Sequence, residues 1–139
     1  MLICIKLTVK YLTMELNEYQ EKAMTTCMPS SNNFSYMFLN LVGEVGELAS
    51  KVAKAIRKTK YSIELNDLDF VWDKADKTEE IEACQMEQEL QKEAGDILWQ
   101  LSGLCSVMGW KLEDIGQQNL DKLASRKKRN VIEGDGDNR

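Results

Sequence analysis

Glu44, Glu47, Glu93 and Asp96 are the residues whose type and spacing suit chemistry. Glu44 and Glu47 stand three apart in Leu41-Val42-Gly43-Glu44-Val45-Gly46-Glu47-Leu48, and Glu93 and Asp96 three apart in Leu90-Gln91-Lys92-Glu93-Ala94-Gly95-Asp96-Ile97. On a helix, residues three apart are neighbours, so each pair sets two like charges side by side. Each pair also flanks an apolar stripe at helical spacing, Leu41, Val45, Leu48 and Val52 in the first segment and Leu90, Ala94, Ile97, Leu101, Leu104 and Met108 in the second. Like charges at the edge of a core repel and lose hydration, which is unfavourable unless a cation compensates them. If the two stripes pack together, four carboxylates from two helices converge at one end of the shared core, as in a bundle-core metal site. One such pair alone is ordinary surface decoration. Two pairs, each with a glycine beside its acids (Gly46 and Gly95) where helices can approach closely, make the stronger argument.

Hard carboxylate oxygens select Mg²⁺, or Mn²⁺, over zinc or copper. The chain has no histidine, which removes Ser-His-Asp and Cys-His schemes, the usual zinc-hydrolase ligand sets and the Glu-x-x-His of di-iron bundles. Mg²⁺ characteristically joins carboxylates to substrate phosphates, so phosphoryl chemistry is expected. Asn119, Lys122 and Arg126 recur at i, i+3 and i+7 and share one helical face suited to a polyphosphate. Lys127 and Lys128 suit the negative end of a helix dipole instead. Lys51, Lys54 and Arg57 continue the first acidic face and would add to phosphate contact. Phe70 and Trp72 have two readings, packing of a small satellite core or stacking of one of them on a planar base.

The elements that must position these groups are helical. A single proline leaves long segments rich in Leu, Glu, Lys, Ala and Gln, so an all-α bundle of about four main helices is expected. The first helix runs from Glu15 to about Cys27 and ends at Pro29. The second, capped by Asn33 or Ser35, runs to about Thr59. Residues 60–77 have no clean period and read as a loop with one helical turn. The third helix starts near Thr78 and stops at Gly109, with a break expected near Cys84 to Glu87 because about thirty residues is long for one helix. The fourth runs from about Leu112 to Lys128, with Leu112, Ile115, Leu120 and Leu123 as its core face. Residues 14–129 then form one domain, with 1–13 an N-terminal extension and 130–139 a flexible tail.

Charge and cysteine usage narrow the function classes. A net charge of −5 offers no basic surface for duplex nucleic acid. Cys4, Cys27, Cys84 and Cys105 have no CxxC spacing and read as buried thiols of a reducing, cytoplasmic protein. No apolar run reaches the length of a membrane span, and the first thirteen residues lack the features of a secretory signal.

Four segments in order carry a resemblance: Gly-Glu-Val-Gly-Glu-Leu-Ala at 43–49, Glu-Ala-Gly-Asp-Ile-Leu-Trp at 93–99, Asn-Leu-Asp-Lys-Leu-Ala-Ser-Arg at 119–126, and the ending Gly-Asp-Gly-Asp-Asn-Arg. Together they resemble a MazG-like nucleotide pyrophosphohydrolase of the all-α NTP pyrophosphatase superfamily, from about Leu16 to Arg139. The resemblance implies Mg²⁺-dependent hydrolysis of nucleoside triphosphates, usually deoxynucleotides, to monophosphate and pyrophosphate. It implies Glu44, Glu47, Glu93 and Asp96 as metal ligands, Asn119, Lys122 and Arg126 on the phosphate side, and a homodimer or homotetramer. The chain departs from that pattern where Gly43 replaces a common glutamate and Gln100 a common aromatic, and in a longer segment over 61–88. In the expected mechanism the acid nearest the attacking water is Glu47, with Glu44 beside it, and Lys51, Lys54, Trp72 and Gln100 are further candidate substrate contacts. Two rivals make different predictions: a non-catalytic helical interaction module binds no Mg²⁺, and a phosphoribosyl-ATP hydrolase shares the fold but not the substrate.

Overall fold

The computed structural model describes residues 13–58 and 77–133. They form α1 (Leu16–Met24), a short 3₁₀ turn (Pro29–Ser31), α2 (Phe34–Lys58), α3 (Lys77–Val107) and α4 (Leu112–Lys128), with no strand among the described residues. The all-α expectation holds, and no described helix is long and apolar enough to cross a membrane. Residues 1–12 and 134–139, and Phe70 and Trp72, lie outside the described residues.

Local chemistry sets the helix ends. Asn33 caps α2, its Oδ1 accepting the Tyr36 N–H at 2.9 Å and so satisfying one of the donors left open in a first turn. α3 ends at Gly109, whose φ of 70° suits a residue without Cβ. There the Trp110 N–H donates to the Cys105 carbonyl at 2.8 Å and the Gly109 N–H to that of Ser106 at 3.1 Å, a Schellman closure. α4 ends in the same way around Asn130, with φ 56°. Two boundaries differ from expectation. α1 stops at Met24, and the Cys27 N–H closes a turn on the Met24 carbonyl. The backbone of α3 is continuous through residues 84–87, where a break was expected, because no proline or glycine interrupts it before Gly95.

α3 is the central element, packing on α2 along one side and α1 on another. The packed face of α2 is rotated from the expected stripe. Met37 is fully buried, and Leu41, Glu44, Leu48, Lys51 and Val52 are half-buried, whereas Val45 is exposed. On α3, Ala94 and Met108 are exposed while Glu93, Gln100, Ser102 and Cys105 are buried. The close helix approach is at Gly103, where a Cβ would lie 2.7 Å from Met37 Cε. A Cβ at Gly46 or Gly95 would meet nothing within 4 Å, so the glycines beside the acids do not bring helices together. On α4, Leu112 is buried but Leu120 and Leu123 are exposed, which removes them from the expected core face.

α1 fixes the bundle through polar side chains. Lys111, at the N-cap of α4, makes no side-chain cap; two residues of α1 take that role. The Leu112 N–H donates to Gln20 Oε1 at 2.9 Å, and the Glu113 N–H to Asn17 Oδ1 at 3.2 Å. In return the Glu113 carboxylate accepts the Asn17 Nδ2–H at 2.8 Å and the Asn17 backbone N–H at 3.2 Å. Gln20 Nε2 also donates to Ser106 Oγ and the Trp110 carbonyl, each at 2.9 Å, so one buried side chain ties α1, α3 and α4 together. Gln20→Ala leaves a buried backbone donor and a carbonyl unsatisfied, and urea unfolding should show a loss of about 2 kcal/mol.

Candidate functional site

α2 and α3 bring three of the four acids together. One carboxylate oxygen each from Glu44, Glu47 and Glu93 lies within 4.8 Å of the others, a spacing able to hold one cation. Glu44 and Glu47 are adjacent because they are one helical turn apart; Glu93 joins them only through the packing of α3 on α2. Glu93 is 7% exposed, and its Oε2 is buried without a hydrogen-bond partner. Asp96, one turn along α3, is exposed and stands outside this triad, although its charge reaches both Glu44 and the Tyr19 hydroxyl of α1.

The remaining contacts hold the acids in place. Glu44 Oε1 accepts the Asn40 Nδ2–H at 3.1 Å. Lys51 Nζ lies 2.7 Å from Glu93 Oε1 and 3.8 Å from Glu89 Oε2. Lys51 is thus bound among acids, where the sequence suggested a substrate contact. Trp99 Nε1 donates to the Ala23 carbonyl at 3.1 Å and Thr26 Oγ1 at 2.9 Å, fixing the rotation of α3 just beyond the acids.

Burial raises the Glu44 carboxyl above the usual carboxylate range, reinforced by repulsion from Glu47, Asp96 and Glu93 and opposed by the Asn40 hydrogen bond. A carboxyl raised on folding binds its proton more tightly in the folded than in the unfolded chain. The metal-free fold therefore gains stability from Glu44 as pH falls through the raised value and loses it above. In EDTA, Glu44→Gln should unfold at higher urea than the wild type at neutral pH, and that advantage should shrink on acidification.

Other candidates lie elsewhere. Gln100 is buried with its Oε1 unpartnered, placing it in the core of α3 two turns beyond Glu93 rather than on an open substrate wall. Lys54 is exposed. Asn119 and Lys122 are exposed and Arg126 buried, all on α4, whose main packing is against α1 rather than the acid-bearing helices. Asn40, Gln20 and the acid partners of Lys51 are what sequence reasoning missed. Asn40 stands four residues from Glu44, a spacing that could have marked it, whereas nothing local marks Gln20 or the acids that pair with Lys51.

An all-carboxylate donor set with a buried, unpartnered oxygen fits a hard divalent cation. The family model for the MazG nucleotide pyrophosphohydrolase domain matches residues 32–131, from the turn before α2 through the end of α4. The chain is also similar to the Gene 37 protein of Mycobacterium phage L5, 36% identical over 110 residues that cover 79% of this chain and 80% of that protein. No solved structure matches it. An all-helical fold, an acid triad shared by α2 and α3, and a match spanning both helices agree: the chain belongs to the MazG nucleotide pyrophosphohydrolase family.

Proposed function

We propose that this protein is a Mg²⁺-dependent nucleoside triphosphate pyrophosphohydrolase, releasing monophosphate and pyrophosphate from ribo- or deoxynucleotides. The observation that carries the reading is the triad Glu44, Glu47 and Glu93 with the unpartnered Glu93 Oε2 among its atoms. A desolvated carboxylate oxygen with no hydrogen-bond partner is costly unless a cation joins it. Bound Mg²⁺ supplies charge neutralisation across the triphosphate and an activated water. Glu93 and Glu44 would hold the cation from the packed side, with Asp96 completing the set from α3.

Glu47, the exposed member of the triad, is the residue proposed to take the proton of the water attacking the α-phosphorus. Glu44, one turn away on α2, is the second candidate for this role. Asn119, Lys122 and Arg126 are the residues proposed to stabilise charge on the departing pyrophosphate. Trp72 and Lys54 remain proposed substrate contacts. Localisation in the cytoplasm follows the same reading.

The protein is also proposed to act as a homodimer or homotetramer. α2 carries a second apolar face, Phe34, Phe38, Leu39, Val42 and Val45, all exposed, with the rings of Phe34 and Phe38 stacked 5.7 Å apart. Contiguous exposed apolar surface of this kind favours association.

The deciding experiment is incubation with each NTP and dNTP, with Mg²⁺ or EDTA, and ion-exchange separation of the products. Monophosphate with pyrophosphate, lost in EDTA, supports the reading and names the substrate. Diphosphate with orthophosphate, or no turnover at all, overturns it.

A further inference from the structure

We propose that Lys51 is the resident counter-ion of the acid triad, holding Glu93 in the metal-free protein and yielding it to the divalent cation by swinging to Glu89. This rests on the reading of Glu44, Glu47 and Glu93 as a cation site. Lys51 stands one turn beyond Glu47 on α2, in the row of half-buried residues facing α3. Its ammonium is the charge that ties the two helices together at this point, 2.7 Å from Glu93 Oε1. Three carboxylates and one ammonium leave the cluster with a net negative charge.

The exchange follows from the relative strengths of the contacts. The Lys51 side chain is 32% exposed and that of Glu93 10%, so the ammonium regains water on leaving, whereas the buried Glu93 carboxylate is released only when another cation takes its place. An ammonium and a dication sharing one carboxylate repel each other at short range, where the Coulomb energy is several times larger. Lys51 also has a short path away. Glu89 Oε2 is already only 3.8 Å from its Nζ, and Glu89 is 58% exposed, one turn before Glu93 on the same helix. The four-carbon stem lets the ammonium move between the two acids without disturbing the backbone. Lysine at this position therefore acts as a two-place cation: on Glu93 it relieves the repulsion that would otherwise splay the triad, and on Glu89 it leaves both Glu93 oxygens to the metal.

Calorimetric titration of the full-length protein with MnCl₂ alone, without nucleotide, tests this directly. Lys51→Met keeps the aliphatic stem and removes the competing charge, and should bind Mn²⁺ roughly tenfold more tightly than wild type. Glu89→Gln removes the receiving acid and should weaken Mn²⁺ binding. If Lys51→Met does not fold, Lys51→Gln takes its place with the same expectation. Equal or weaker Mn²⁺ binding by the Lys51 variant, with wild-type binding intact, overturns the exchange while leaving the metal site standing. No Mn²⁺ binding by either protein overturns the site itself and the proposal with it.

Discussion

Replacing Glu93 with glutamine is expected to abolish both divalent-cation binding and turnover while leaving the helices in place. Glu93 is the member of the triad that α3 contributes, and it is the most buried of the three. Glutamine keeps its volume, so packing against α2 changes little, but the site loses a full negative charge among its most desolvated atoms. Metal-derived charge stabilisation is worth several kcal/mol in a reaction of this class, so kcat/KM should fall by roughly 10³-fold or more. Calorimetry with Mn²⁺ and product analysis by ion exchange read the two losses separately, and far-ultraviolet circular dichroism reads the fold. A variant that still turns over nucleotide at near wild-type rate would remove Glu93 from the proposed mechanism.

The second large effect is on assembly. Val42 is 59% exposed near the middle of the second apolar face of α2, between Phe38 and Val45. Val42→Glu places a charge where association would bury it, and a central interface substitution of this kind weakens assembly by about 2 kcal/mol or more, about thirtyfold in the dissociation constant. Light scattering after size exclusion should show wild type as a dimer or tetramer and the variant shifted towards monomer at the same concentration. A wild-type monomer would overturn the proposed self-association through this face.

The same face explains where sequence reading succeeds and where it fails. Asn33 and Gly109 announce helix ends by local chemistry, and both ends lie where that chemistry places them. Spacing likewise pairs Glu44 with Glu47 without reference to the rest of the chain. The rotation of α2 about its axis is different, because the helix has apolar residues on two sides. Choosing Val45 over Met37 as core requires knowing which side meets α3, and that is settled by the fit of Met37 against Gly103, sixty-six positions away. Gln20 and Asn17 were equally hidden. A polar residue inside α1 carries no local mark that it will cap α4, since its partners are backbone groups of a helix some ninety residues later. Lys51 looked free to meet substrate for a similar reason: its acid partners come from another helix.

The triad has one more property, set by the chain separation of its members. Glu44 and Glu47 remain near each other in the unfolded chain, but Glu93 does not, so the three acids come together only when α2 and α3 are docked. An ion that requires all three acids binds the folded chain in preference to the unfolded one, and mass action then adds about 2.7 kcal/mol of stability at a free concentration one hundred times its dissociation constant. The free concentration of such an ion would thereby shift the balance between the docked and undocked α2–α3 pair, making the stability of the fold itself a function of ionic composition.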